Sequence, residues 1–472
     1  MSSSMNSKLL LKNSLLLGLA PFLPKVIGVI LLPIMTKYLT DVDFGISATI
    51  TAYSQAISAF SVLGMNVVLQ NTFYKHPYSY KYVWRQVYGF LKIWMIVFAC
   101  IHSMLLYYTI PVEASENKWL IIFLSIFSNV LFGPVATIGS SYYIFSKQAF
   151  PLVWRSVLTS LITILASFVL IVYLRLGYMG WYVSTFIGIF VSNTTYWHVV
   201  NKQLNLKPIY KFRLKTIWKA LSISTPTIPH YYSIYLLESS GRMVLDQNNV
   251  SQSEIGRLSI VQQFGDMFQM GMTGLNNAIS PYIMQSLKND SQYLIRKFTG
   301  VFVTIVFSLA FLLALWSKEI FSLLLSNDSL KSSYPYFIIY IMALCHRPMY
   351  LIVSYYYFFY EKTKQILFIS FTAGVLAFMF YVGFVPKFGL WAVVIGFYLA
   401  NLYFGYSGFF YGPYKTHSFI NIPVIPILFA QILLTISAFI LVNYTLIKLF
   451  VTMIFIVLLF VIIHQNRNVF KI

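Results

Sequence analysis

Charge is scarce in this chain. Only 10% of its 472 residues are Asp, Glu, Lys or Arg, where a soluble globular protein carries about 25%. Acids are scarcest, at 12 against 33 Lys and Arg. Cysteine is almost absent: Cys100 and Cys345 both lie inside apolar stretches without metal-ligand spacing, which excludes a disulfide framework and a thiolate metal cluster. Long hydrophilic stretches are missing too. The longest, about Asn201 to Lys215, is enough for a short amphipathic connector and too little for a soluble catalytic domain. No cofactor and no metal is expected, and the chain is not expected to be an enzyme.

Apolar residues fill the space. They make up 58% of the chain, and the mean hydropathy is +0.74. A bilayer crossing takes about 20 apolar residues. Hydropathy and helix breakers place spans at 13–36, 44–68, 87–109, 119–143, 150–174, 178–200, 217–240, 255–284, 295–316, 334–359, 365–384, 388–411, 422–443 and 445–464. The expected fold is therefore an all-α polytopic membrane protein of about 14 transmembrane helices. The N-terminal MSSSMNSKLLLKNSLLLGLAPFLPKV starts like a signal peptide, but it stays apolar to Met35 and lacks a small-residue cleavage site, so it reads as an uncleaved first span.

The formal net charge of +21 is explained by topology. With the N-terminus inside, 21 Lys and Arg fall in cytoplasmic segments, nine outside and three within spans. That is the positive-inside asymmetry, so both termini are expected in the cytoplasm and nucleic acid is not an expected partner.

The two halves repeat. Thr40-Asp-Val-Asp43-Phe-Gly45 recurs as Ser251-Gln-Ser-Glu254-Ile-Gly256, each with the pattern of a helix capping box. Pro21 to Lys25 matches Pro226 to His230, and Gly64-Met-Asn66 matches Gly274-Leu-Asn276. Ser141-Tyr-Tyr143 matches Ser354-Tyr-Tyr356, and Gly177 with Gly180 matches Gly389 with Ala392. The offsets run only from 205 to 213 residues and keep one order. The expected organisation is two pseudo-symmetric six-helix lobes, 1–206 and 207–415, with an additional helix pair at 416–472. Six spans per repeat give both lobes one orientation, as in transporters built from parallel repeats, with alternating access about a site between them.

The same residues carry a family resemblance. Leu31-Leu-Pro-Ile-Met-Thr-Lys-Tyr-Leu-Thr-Asp-Val-Asp-Phe-Gly45 resembles the first-loop signature of bacterial polysaccharide flippases, the Wzx or O-antigen transporter family. The stretch from Ser224 through Gly256 to Pro281 resembles that family's second-half signature. The family belongs to the multidrug/oligosaccharidyl-lipid/polysaccharide exporter superfamily. The resemblance implies translocation of an undecaprenyl-diphosphate-linked oligosaccharide across the bacterial inner membrane, for O-antigen or capsule assembly. Membrane lipids, a polysaccharide polymerase and a chain-length regulator are the implied partners. Relatives often carry an Asp-Arg pair at the outer end of the seventh span. This chain has Gly241-Arg242, so Arg242 alone is carried over, with Glu238 four residues earlier as its expected ion-pair partner.

Ionisable residues deep in a span cost about 3 kcal/mol and tend to face a cavity or a partner. Lys25 follows two prolines in the first span, and its repeat mate is His230. Both are expected to line a cationic cavity and attract the cargo's diphosphate, although Lys25 would equally satisfy carbonyls freed by Pro21 and Pro24. Arg347, in Cys345-His346-Arg347-Pro348, is expected either to bind phosphate through its fork or to pair with a neighbouring helix. Asp266 is a candidate ion-coupling acid or a structural partner of Arg347 or Lys25. Lys92 and Arg155 are expected to snorkel to the interface. Asp41, Asp43 and Glu254 read as helix caps. The alternative functions are a multidrug or small-cation exporter, which calls for an acidic pocket, and a polysaccharide polymerase or ligase, which calls for a larger outer loop.

Overall fold

The computed structural model describes residues 32–146, 148–225, 228–411 and 422–465. Among them there is no strand, and nine helices are long and apolar enough to cross a membrane. This is what lipid demands of a chain so apolar, because a helix satisfies its own backbone where no water is available. Lys25 lies outside the described residues, as do 466–472. The chain forms two compact units that divide between Tyr232 and Ser233.

The first unit is built on α1 (Asp41–Val62), α2 (Asn66–Lys75), α3 (Tyr80–Thr109), α4 (Lys118–Phe145), α5 (Phe150–Ser167), α6 (Gly177–His198) and α7 (Leu214–Ser224). Thr40 caps α1 in a full capping box: its hydroxyl accepts from Asp43 N, and the Asp43 carboxylate accepts from Thr40 N. Between α1 and α2, Leu63 and Gly64 both take positive φ, so the chain kinks there. Helices α3, α4 and α6 pack in sequence and α5 pairs with α6, while α7 lies on α2 and α3. The connector after α6 therefore packs with the first unit. Ile209 N donates to Arg85 O, and Arg85 Nε to Lys207 O (2.8 Å). Arg155 departs from the snorkelling expectation. It is buried, donates to Thr195 Oγ1 and Pro151 O, and lies over the rings of Tyr143, Trp154 and Tyr196, which solvate the cation inside the bundle.

The second unit contains α9 (Ser240–Gln247), α10 (Gln252–Lys288), α11 (Gln292–Leu315), α12 (Ser317–Leu324), α13 (Asp328–Lys331), α14 (Tyr334–Leu344), α15 (Arg347–Phe359), α16 (Thr363–Phe388), α17 (Leu390–Tyr406), α18 (Val424–Leu441) and α19 (Thr445–Gln465). Helix α8 (Ile228–Glu238) crosses the division. The expected span 217–240 is thus cut into α7 and α8, and 334–359 into α14 and α15. The terminal helices α18 and α19 pack on α11, with α18 also on α14. Lys448 is buried on α19, paired with Glu319 and lying over the Trp316 ring.

Repeat-related residues make related contacts within their own units. Asp43 Oδ1 accepts from Tyr178 N at the start of α6 (2.9 Å), beside Gly177 at φ +52°. Gly389, the mate of Gly177, also sits at φ +52°, with the Glu254 carboxylate as its neighbour before α17. Ser141, Tyr142 and Tyr143 are buried, half-buried and buried, and Ser354, Tyr355 and Tyr356 follow the same pattern. One pair differs: the kink at Gly64 has no counterpart at Gly274, where α10 runs straight through.

Candidate functional site

A group of ionisable residues of the second unit gathers beside the break between α14 and α15, with Arg347 buried, Glu238 and Arg242 half-buried and Asp266 exposed. Pro348 in the first turn of α15 has no N–H to give back to the preceding helix, so the chain restarts there. Met349 N donates to His346 O, which leaves the carbonyl of Cys345 without a helical donor. Gln431 of α18 supplies one, its Nε2 lying 2.9 Å from Cys345 O. The Gln431 Oε1 accepts from Tyr406 OH and meets His346 Nδ1. A side chain of the terminal helix pair thereby completes the break.

Arg347, the first residue of α15, is 6% exposed. Its Nη1 lies 2.9 Å from Glu238 Oε1, and its Nε lies 2.9 Å from Asn401 Oδ1. Asn401 is held in turn by donating to Phe397 O. The guanidinium lies 5.8 Å from the Phe397 ring centre, and that ring stacks on Tyr340 at 4.3 Å. Among the described residues Arg347 Nη2 has no hydrogen-bond partner. Glu238 is anchored through its backbone: its carbonyl accepts from Gln262 Nε2 (3.0 Å), while Gln262 Oε1 accepts from Arg242 Nε. The carboxylates of Asp266 and Glu238 both act electrostatically on Arg242 and Tyr340. Gly265 gives Tyr340 its seat, since a Cβ there would collide with the phenol ring.

Two carboxylates and two guanidiniums thus balance within one cluster. A buried ion pair stabilises only when its geometry is good and its remaining lone pairs are satisfied. Arg347 has a carboxylate and an amide, but its Nη2 keeps both N–H groups without a partner among the described residues. Protonating an acid, or adding a small cation beside it, would release a guanidinium toward another anion. Such a cluster can couple charge binding to side-chain rearrangement.

The structure brings Arg347, Arg242 and Asp266 into this one cluster. The side chain of His230, whose backbone belongs to α8, falls outside the described residues with Lys25. The expected Glu238–Arg242 ion pair is replaced by Glu238–Arg347, because the break after Leu344 swings Arg347 against the end of α8 while Gln262 takes the Arg242 Nε. Sequence reading missed Gln262, Tyr340, Asn401 and Gln431. A polar amide in an otherwise apolar span was the available signal for Asn401 and Gln431, since each must find a partner in lipid.

Residues 10–287, well over half of the chain, match the family described as "Polysaccharide biosynthesis protein". The chain belongs to the polysaccharide biosynthesis protein family. The family is the one its first-loop and second-half motifs resemble. Among solved structures, "Lipid II flippase MurJ, inward closed conformation" is similar over 96% of this chain and 99% of that one, at 14% identity and TM-score 0.73. A "multidrug resistance MATE family transporter of the MOP superfamily" in an inward-facing conformation is similar over 85% of this chain and 95% of that one, at 12% identity and TM-score 0.62. This member of the polysaccharide biosynthesis protein family therefore has the MurJ and MATE fold. No match was found among curated protein sequences.

Proposed function

We propose that the chain is a flippase that moves an undecaprenyl-diphosphate-linked oligosaccharide across the bacterial inner membrane by alternating access, for O-antigen or capsule assembly. The observation that carries this reading is the family match over residues 10–287, joined to a fold shared nearly end to end with a protein named as a lipid II flippase. In this reading both termini are cytoplasmic. Lys25 and His230 line a cationic cavity with Arg242, and Arg347 contributes its free Nη2 when Glu238 lets it go. Asp266, beside Arg242 and Tyr340, is the acid that takes the coupling proton or cation. A polymerase and a chain-length regulator act on the product.

The deciding experiment is a clean deletion in the native strain. Surface polysaccharide should disappear while lipid-linked repeat units accumulate on the cytoplasmic leaflet. Normal polymer with no accumulation would end the flippase reading. A multidrug exporter is the second reading, favoured by the MATE fold match. It predicts raised sensitivity to cationic drugs in the same strain with polysaccharide intact.

A further inference from the structure

The first unit forms a half-open cavity of about 590 Å³ between α1, α3, α4 and α6, within the roughly 300–1,000 Å³ of small-molecule sites. Its wall is unusual for a membrane bundle. On α1, Thr51, Ser54, Gln55, Ser58 and Ser61 recur at helical spacing and all line it. A second polar stripe on α4 comprises Ser125, Asn129 and Thr137, with Gly133 between them. Thr51, Gln55, Ser58 and Asn129 are exposed and Ser54, Ser61, Ser125 and Thr137 half-buried, so these stripes face an open cleft rather than a dry core. In so apolar a chain, a polar helix face marks a surface turned to water or a ligand and away from lipid.

The lining has a definite hydrogen-bonding sense. Ser58 Oγ donates to Gln55 O (2.9 Å), Ser61 Oγ to Ser58 O (2.7 Å) and Thr137 Oγ1 to Gly133 O (3.0 Å). Asn129 Nδ2 donates to Ser125 O (3.1 Å). The three hydroxyls spend their donors on their own helices and keep oxygen lone pairs for the cavity, while the amides of Gln55, Asn129 and Asn193 bring both donors and acceptors to its wall. A matching ligand must therefore both donate and accept, as a sugar hydroxyl does.

Charge then separates the two donor-rich ligand classes. Among the described residues, none that lines the cavity is Asp, Glu, Lys or Arg. Its one imidazole, His102, is buried against Ser54 Oγ at 3.0 Å. A cation brought here would lose its hydration with no counter-charge to offset the loss. An alcohol-rich neutral group has no such cost, and the apolar faces of Met95 and Phe98 suit the C–H faces of a sugar ring.

We propose that this cavity binds an uncharged sugar residue of the lipid-linked cargo, separately from the charged cluster of the second unit. The proposal rests on the flippase reading for the source of the sugar.

The test is thiol protection in the full-length chain in proteoliposomes. Ser58→Cys is placed in a Cys100→Ala background, since Cys100 is exposed and Cys345 buried. The probe ligand is the neutral oligosaccharide released by mild acid from the native strain's lipid-linked pool. Saturating oligosaccharide should slow maleimide labelling at least fivefold, while tetraphenylphosphonium should not. Adding Asn129→Leu should weaken protection about tenfold, and Asn129→Gln should restore most of it. Labelling slowed by the cation alone, or by neither ligand, overturns the proposal. If Asn129→Leu fails to reach the membrane, the Ser58→Cys protection alone decides. Because binding is read without transport, failure here with polymer lost in the deletion strain condemns only the cavity. Normal polymer in the deletion strain, with protection intact, condemns only the flippase.

Discussion

Glu238→Gln isolates the Arg347 ion pair with little change of shape. Glu238 Oε1 sits 2.9 Å from Arg347 Nη1, and the two side chains are 31% and 8% exposed. Orphaning one member of a fully buried pair costs about 3–5 kcal/mol. Here the glutamate end retains some access, and a neutral amide oxygen still accepts from the guanidinium. A loss of about 2 kcal/mol is the reasoned value, within the range of roughly 1.5–3 kcal/mol for hydrogen bonds to charged groups. Arg347→Gln should cost a similar amount, since it also strands Asn401 Oδ1. The double variant removes both charges together, so it should be more stable than the sum of the singles by about 2 kcal/mol. Denaturant unfolding of the purified protein in one detergent, followed by Trp fluorescence, gives the cycle. A coupling energy below about 0.5 kcal/mol, the usual error of additivity, would refute the ion pair as an energetic unit.

Three further perturbations read other parts of the fold. Gln431→Leu leaves Cys345 O, His346 Nδ1 and Tyr406 OH without their buried partner; at about 1–3 kcal/mol each, the loss should exceed roughly 3 kcal/mol, and equal stability by the same unfolding assay would deny the fastening role. Asp43→Ala removes both the α1 capping bond and the bond to Tyr178 N and should cost about 1–2 kcal/mol, while Asp43→Asn retains an acceptor and should cost less; the reverse order would count against the cap. At the exposed start of α13, Lys331 at 2.6 Å holds the Asp328 carboxyl below its ordinary value of 3.8. Its folded value is the lowered one, so the local contribution is complete above the ordinary value and fades as pH falls through the lowered one. Lys331→Ala should return the titration upward, as read by carbon-13 NMR of labelled aspartate, and an unmoved midpoint would remove the pair.

Composition alone was enough for the helical membrane architecture, because 58% apolar residues in span-length blocks leave lipid as the only solvent. The matched spacings of the two halves have a related physical reading. Asp43, Gly177 and their mates Glu254 and Gly389 have local duties, such as capping or adopting φ +52°, and local duties write themselves into spacing. The charge cluster was only half legible. Arg347 and Asp266 stood out as expensive residues, but their partners come from α8, α10 and α17, and no spacing along the chain reports which helices pack. The break at Cys345–His346 decides it. Pro348 was visible in the sequence, while the side to which the restarted helix would turn Arg347 depends on Gly265, Tyr340 and Gln431. Arg155 was misjudged from position alone, since nearness to a span end does not disclose an aromatic cage.

The two units share backbone devices and divide their chemistry. The residues repeated between them are those that cap helices, reverse the chain at a glycine, or seat a half-buried tyrosine. The residues that differ are those with functional potential. The first unit's cavity is rich in hydroxyl and amide groups, with Ser54, Ser58, Asn129 and Thr137 on its walls and no charged residue among those described. The second unit's cluster is ionic and balanced, with Arg347 bound to Glu238 and Asn401. On the proposed reading one unit holds a neutral glycan while the other responds to charge, and two copies of one site would not serve both. Grafting is the direct check on this division. Asn129→Asp places a carboxylate in the neutral cavity and should turn its preference toward cations, with tetraphenylphosphonium now slowing maleimide labelling of the Ser58→Cys reporter. If the neutral oligosaccharide remains the better protectant, the absence of charge in the first unit is not what selects its ligand.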